Sequence, residues 1–428
     1  MNHLTGRRAG PMLRPAAFPC EGGSALNRQT FHLRKTMNEK IDRISSRAYQ
    51  YVCEVLASEF RGSKSGGMMK RLERAFAERF GVGYAISFIN GTATLHAALA
   101  AAGVGPGDEV IVPPLTMAST SFAVLHAGAV PVFADIDPDT WTLSPASVAE
   151  RITERTKAIM PVAIYGLSPD MDPIMALAEA HGLFVLEDDA ECFLGTYKGR
   201  LVGTLGHAAS FSFQSSKHAT SGEGGMVITN DPDLANRVRR FGSLGYAAVG
   251  AGEGKISKED IQDPGYARHV EIGWNYRMPE LCAAVALEQV ERLDELVAWR
   301  QESARLYAEA LEGCDWLTPQ AVPEGYGHAY WTFVARLNRD DITWHDFRRK
   351  FLEFGGEPFY GAWRLTHLEP AFRNRRFADY QWQEFAPGLC PVAEATQPRL
   401  MQFTTNAYDR AEMERQAEAL AKTIAYFS

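Results

Sequence analysis

The chain has 428 residues, 46% hydrophobic and 22% charged, with a formal net charge of -8. That length favours two domains with a large core, and the acidic balance excludes a basic field that would gather nucleic acid or an anionic membrane. No apolar run reaches the ~18 residues of a membrane span, and the start carries arginines but no apolar signal core.

Residues 1–40 read as a loosely ordered extension. Six cysteines (Cys20, Cys53, Cys192, Cys282, Cys314 and Cys390) are scattered without a CxxC pair. They offer no zinc framework and fit a reducing, cytoplasmic setting, as small buried hydrophobes. From residue 46 the pattern predicts two amphipathic helices, "SRAYQYVCEVLASEF" and "MMKRLERAFAERFG", the second closed by Gly81. Strands and helices then alternate: "YAISFI" and "ATLHAALAAAG", "DEVIVPP" and "ASTSFAVLHAG", "VPVFADI" and "PASVAERIT", "KAIMPVAI" and "MDPIMALAEAHG", then "LFVLED". This is the βαβ signature of a parallel sheet covered on both faces, so the fold class is α/β.

From about residue 286 the texture changes. A long charged helix, "LEQVERLDELVAWRQESARLYAEALEG", is followed by the strand "YWTFVARL", the helix "TWHDFRRKFLEFGG" and a last helix, "RAEMERQAEALAKTIAYF". The expected division is a large α/β domain over 41–285 and a smaller α+β domain over 286–428.

In such sheets ligands bind beyond the carboxyl ends of the strands. After "YAISFI" stand Asn90, Gly91, Thr92 and Ala93, opening a helix: an anion cradle, or a plain turn with its N-cap. The P-loop pattern GxxxxGK(S/T) is absent, and "GVGPGD" fails GxGxxG. After "LFVLE" come Asp188, Asp189, Ala190 and Glu191. Here the readings are a metal ligand, a carboxylate that holds a proton on a basic ring nitrogen, or an exposed acidic turn. After "SFSF" comes Lys217, with Ser212, Ser215 and Ser216 before it and Gly222 to Gly225 after it. A surface lysine is the ordinary reading; a crowded small-residue pocket suits an amine that forms Schiff bases. A phosphate cradle, a carboxylate and a lysine, each after a different strand, together suggest pyridoxal 5'-phosphate (PLP).

At these residues the chain resembles the DegT/DnrJ/EryC1/StrS sugar aminotransferases. The resemblance is carried by "NGTATLHAAL", "GPGDEVIVPPLTMAST", "AVPVFADIDPDTWTLSP", "LFVLEDDAECFLGTYKGR", "FSFQSSKHATSGEGGMVITND", "NYRMPELCAAVALEQV" and "CPVAEATQP". It implies PLP fold type I, with a mostly parallel seven-stranded sheet in the large domain. It implies an amino donor, glutamate or glutamine, and a keto or aldehydo sugar, nucleotide sugar or cyclitol as acceptor. Lys217 would hold the cofactor as an imine and act as acid–base catalyst. Asp188 would pair with the pyridine nitrogen. Ser212, Thr92 and the Ala93 backbone would bind the phosphate, with Gly91 allowing close approach. Asn275, in "NYRM", would reach the partner's phosphate in a homodimer with shared sites. His367, in "THLEP", would lie near the sugar, and Arg364 is either an anion contact or a surface ion pair.

The chain departs from the family at three positions. Met117 stands where an aromatic residue usually stacks on the ring, Glu191 replaces a common glutamine near the ring hydroxyl, and His207 replaces an aspartate. His218 and His96 read as supporting or packing histidines. The 245–270 insert is expected to form a loop over the site. A PLP-dependent sugar dehydratase is the first rival, disfavoured because that branch carries histidine in place of the lysine. A non-catalytic PLP-binding regulatory protein is the second.

Overall fold

The computed structural model describes residues 39–60, 67–247, 249–250, 262–373 and 385–428. Most of the expected extension and the centre of the 245–270 insert therefore lie outside the described residues. The strands are β1 (Tyr84–Phe88), β2 (Glu109–Val112), β3 (Val130–Phe133), β4 (Thr156–Ile159), β5 (Phe184–Asp188), the short β6 (Thr196–Tyr197) and β7 (Arg200–Leu201), β8 (Ala208–Ser212) and β9 (Gly225–Thr229). Seven of them form one sheet in the order β1-β9-β8-β5-β4-β2-β3. The pairs from β3 through β8 are parallel; β9 runs antiparallel to both β8 and β1.

The apolar runs become strands buried from end to end. Every residue of β2, β3, β8 and β9 is buried, as a sheet covered on both faces requires. Alternation then sorts the side chains. Along β8 and just beyond it, Ala209, Phe211 and Phe213 enter an apolar layer with Leu72, Phe76 and Phe80 of helix Met68–Phe80 and with Ala283 and Leu287 of helix Glu280–Glu291. Each buried phenylalanine there stabilises by roughly 1.5–3 kcal/mol. The intervening Ser210 and Ser212 take the opposite face, where Ser210 bonds Thr94 of helix Gly91–Ala101. One strand thus anchors the core with its odd residues and offers hydroxyls with its even ones.

A second, four-stranded sheet has the order β10-β12-β14-β13, from β10 (Leu317–Pro319), β12 (Thr332–Leu337), β13 (Tyr360–Gly361) and β14 (Leu400–Thr404). Phe333, Phe347, Phe351, Phe403, Leu420 and Ile424 build its core, against helices Trp344–Glu353 and Arg410–Phe427. The short β11 (Tyr326–Gly327) instead pairs with β6.

The single long helix expected from residue 287 is two helices, Glu280–Glu291 and Leu293–Ala310. The break falls at Arg292 (φ -112°, ψ 15°). Its guanidinium bonds Glu288 on the first helix, Glu295 on the second and the Asp42 carbonyl, so the residue at the break is held by both helices and by a distant segment that periodicity does not show. The first of these helices runs through the expected boundary at 285/286.

Candidate active site

Register brings the site together. Phe88 of β1 and Ser212 of β8 both pair with Gly225 of β9, so the ends of three strands share one row. The chain leaving β1 crosses directly over this row. A Cβ on Gly225 would lie 2.7 Å from the Asn90 carbonyl oxygen, and one on Gly91 would lie 3.0 Å from Ser212 Cβ. The first approach requires glycine, and at Gly91 a side chain would enter only if Ser212 gave way. Asn90 caps helix Gly91–Ala101, its Oδ1 accepting the Ala93 N–H at 2.8 Å. This changes one expectation: the Ala93 N–H is engaged by the cap. The half-buried Gly91 and Thr92 are left at the helix start beside the Ser212 hydroxyl, a geometry that suits an anion.

Asp188 ends β5, beside Ser210 in the parallel pairing with β8. It is buried, and Oδ2 accepts the Thr120 hydroxyl at 2.8 Å while Oδ1 accepts the Ala190 N–H at 3.3 Å. Thr120 in turn meets Thr116 at 3.0 Å. Neither threonine was singled out from the sequence, although both follow the carboxyl end of β2. Burial pushes the Asp188 carboxyl up to about 6, against the lowering pull of these two hydrogen bonds. A buried carboxylate with neutral donors only, among the described residues, suits a cationic N–H partner.

Lys217 is 8% exposed, and its Nζ donates to Glu191 Oε1 at 3.0 Å. The ammonium also lies 4.1 Å from the centre of the Trp331 ring, within cation–π range. Trp331 comes from just before β12, over 100 residues downstream, and no local pattern marks it. Glu191 is fixed from its other oxygen by the Tyr165 N–H at 2.9 Å. Tyr165 holds φ +63°, a left-handed conformation costly for a bulky residue.

The buried Lys217–Glu191 pair gives a stability prediction. Glu191→Ala leaves the ammonium and the Tyr165 N–H without their acceptor and costs about 3 kcal/mol; Glu191→Gln keeps an acceptor and costs less. Denaturant unfolding of the cofactor-free variants measures both.

Met117, between β2 and helix Ser119–His126, is 51% exposed. Asn275 is exposed and does not turn into the chain's own core. Arg364 is exposed, while its neighbour Trp363 packs on Trp331 at 5.6 Å. His367 is fully enclosed: Nε2 pairs with Glu394 at 3.0 Å and the ring packs on Phe133. His207 accepts the Val185 N–H at 2.9 Å, a structural bond. Buried His218 meets the Ala329 carbonyl at 2.9 Å, and burial holds its pKa well below the usual value. His96 sits in a ring cluster with Trp274 and Tyr276, held by burial at about 4.

The DegT/DnrJ/EryC1/StrS aminotransferase family profile matches residues 42–408. The chain belongs to this family. The aminotransferase is 39% identical over 334 residues to the GDP-perosamine synthase of Caulobacter vibrioides, covering 78% of this chain and 85% of the relative. It is 42% identical over 401 residues to the L-glutamine:2-deoxy-scyllo-inosose aminotransferase of Streptomyces fradiae, covering 87% and 91%. Among solved structures it is similar to an aminotransferase from Psychrobacter cryohalolentis, with a TM-score of 0.78 at 30% identity, covering 89% of this chain and 97% of that one. The protein is accordingly a PLP-dependent aminotransferase, and its sheet order is the mostly parallel seven-stranded arrangement the sequence led one to expect. No helix among the described residues is long and apolar enough to cross a membrane.

Proposed function

We propose that this aminotransferase moves an amino group from glutamine or glutamate to the carbonyl of a sugar, nucleotide sugar or cyclitol, with Lys217 as its catalytic amine. The carrying observation is the buried Lys217, paired with Glu191 and set on the same sheet end as Asp188 and the Gly91–Ser212 cradle. These groups fit PLP in kind and in number: an amine, a carboxylate awaiting a cation, and a helix start with a hydroxyl. When bound, PLP supplies an aldehyde that takes up amines and a cationic ring that draws electrons from the carbon being deprotonated.

The chain's own residues do the rest. Ser212, Thr92 and the backbone at Gly91 bind the phosphate. Asp188, steadied by Thr120, keeps the ring nitrogen protonated. Lys217 would hold the aldehyde of the cofactor and, as a free amine, would carry the proton to and from the substrate carbon. Glu191 receives the Lys217 ammonium whenever that amine is free, and its fixed position limits where the amine can wander. Trp331 covers one side of the ammonium and keeps water from it. Met117 offers an apolar side chain beside the site, and Arg364 an exposed cation for an anionic acceptor. The enclosed His367 shapes this end of the molecule by fixing Glu394, which also accepts the Gly388 and Cys390 N–H groups.

A homodimer with shared sites is part of the proposal. Asn275 is exposed beside Val270, Ile272 and Trp274, which are 55%, 93% and 50% exposed. An apolar strip of this kind favours a protein partner. The five described cysteines are unpaired, which supports a reducing, cytoplasmic setting. The smaller domain is taken to follow the helix Glu280–Glu291.

A half-reaction tests the assignment. Glutamine or glutamate alone is expected to convert the bound cofactor to its amine form, and a carbonyl acceptor of the sugar or cyclitol class to restore the original spectrum. Failure of both donors to change the spectrum contradicts the reading.

A further inference from the structure

The loop that carries Lys217 is held by its carbonyl oxygens. Helix Leu293–Ala310 places Arg300 inside the protein, 1% exposed. The described residues give it no carboxylate within ion-pair distance. Its fork goes to neutral oxygens instead. One arm, Nη2, donates to the Ser216 carbonyl at 2.7 Å and the Lys217 carbonyl at 3.0 Å. The other, Nη1, donates to the Trp331 carbonyl at 2.7 Å and reaches Thr405 Oγ1 at 3.4 Å. Tyr408 stands near enough to favour the charge.

Trp331 closes the arrangement. Its indole Nε1 donates to the Ser216 carbonyl at 3.0 Å, and its ring carries the Lys217 ammonium at 4.1 Å. One guanidinium therefore ties the backbone of the lysine to the backbone of the ring on which that lysine rests. Arg43 approaches the same loop from the start of the described chain, donating Nη2 to the Ser215 carbonyl at 2.6 Å and the Lys217 carbonyl at 2.9 Å. Burying a cation without a counter-ion is costly, and apolar packing would stabilise the helix without that cost. A planar fork can also bind several oxygens in fixed directions, which a lysine at the same place cannot.

We infer that Arg300 is a positioning residue for the amino transfer, holding Lys217 and Trp331 in one fixed relation. The inference rests on Lys217 being the catalytic amine. With the carbonyls of the loop pinned, the freedom left to the amine is rotation of its own side chain. It meets its target from one direction, and misplacement of the loop by about 1 Å is enough to cost about 100-fold in rate.

Arg300→Lys keeps the charge without the fork, and Arg300→Met removes both at similar length. Three readouts follow: kcat and KM per bound cofactor, the visible circular dichroism of the bound cofactor, and the labelling rate of Lys217 in cofactor-free enzyme by an amine-reactive reagent. The exposed Lys157 on β4 serves as internal reference for the labelling. The expected result is a fall in kcat of about 100-fold with KM changed by less than about threefold, an altered dichroism band, and a Lys217-to-Lys157 labelling ratio shifted by about fivefold or more. A variant that binds cofactor fully and keeps the wild-type kcat and labelling ratio overturns the inference, even if it melts at a lower temperature. Should neither Arg300 variant fold, Arg43→Met, which removes the second bond to the Lys217 carbonyl and the bond to the neighbouring Ser215 carbonyl, is read by the same measurements and the same criteria. Lys217→Ala is the control: activity surviving there contradicts the assignment of Lys217, whereas activity lost there and retained in the arginine variants contradicts only the positioning role.

Discussion

Lys217→Ala is expected to lower kcat by about 10⁴-fold or more, because it removes both the covalent attachment point and the proton carrier. The loss is chemical and not a loss of fold. The loop stays pinned through the carbonyls of Ser215, Ser216 and residue 217, which the substitution leaves in place. One stability effect is expected beside it. Glu191 is buried and loses its cation, keeping only the Tyr165 N–H, and an unpaired buried carboxylate costs about 3 kcal/mol. The variant should therefore unfold more easily and still bind cofactor through the phosphate cradle and Asp188. Amine product measured per folded, cofactor-loaded enzyme separates the two effects. Wild-type turnover in that variant is incompatible with the proposed role.

Asp188→Asn is expected to lower kcat by about 10²–10³-fold, since the charge that keeps the ring nitrogen protonated is replaced by a neutral amide. It also predicts a pH signature. In the cofactor-free protein the carboxyl is raised from 3.8 to about 6, chiefly by burial. Below pH 4 the folded and unfolded chains both carry this proton. As pH rises from about 4 to 6 the unfolded chain releases it and the folded chain does not, so this contribution to stability falls across that window. At 1.36 kcal/mol for each of roughly two units, the loss is about 3 kcal/mol, complete above pH 6. Asp188→Asn should flatten the stability profile between pH 4 and 6. A cationic partner reverses the sign locally. Pairing with the protonated ring favours the carboxylate, so wild-type affinity for the cofactor should weaken as pH falls below about 6, by up to about tenfold per unit relative to the variant. Titrations of cofactor binding at pH 5, 6 and 7 give the comparison, and parallel curves for the two proteins contradict the pairing.

Much of the fold and part of the site could be read from the residues. β8 shows why. Its alternation of phenylalanine and serine fixes both the strand and the face that each hydroxyl takes, so Ser212 and the lysine after it could be placed without coordinates. Asp188 at the end of β5 was legible as a candidate, but metal ligand, ring-nitrogen partner and exposed acidic turn all stayed open until the family resemblance chose among them. What escaped came from interactions between distant segments. Trp331 reaches Lys217 only through the packing of β12 and its approach against the main sheet. Thr120 serves Asp188 across 68 residues of sequence. At the break, Arg292 bonds the Asp42 carbonyl near the start of the described chain, a contact that the local pattern does not show. The cap at Asn90 was legible as a cap, but its consequence, that the Ala93 N–H is already engaged, needed the geometry. His367 could be recognised by its motif, and its full enclosure against Phe133 and Glu394 could not.

The most direct test is borohydride reduction of the cofactor-loaded enzyme followed by peptide mapping. The result expected is a single cofactor adduct, on the peptide that carries Lys217, formed in the wild type and absent after the enzyme has been converted with amino donor. An adduct on another lysine, or none in a protein that holds the cofactor, would contradict the assignment of Lys217 as the catalytic amine.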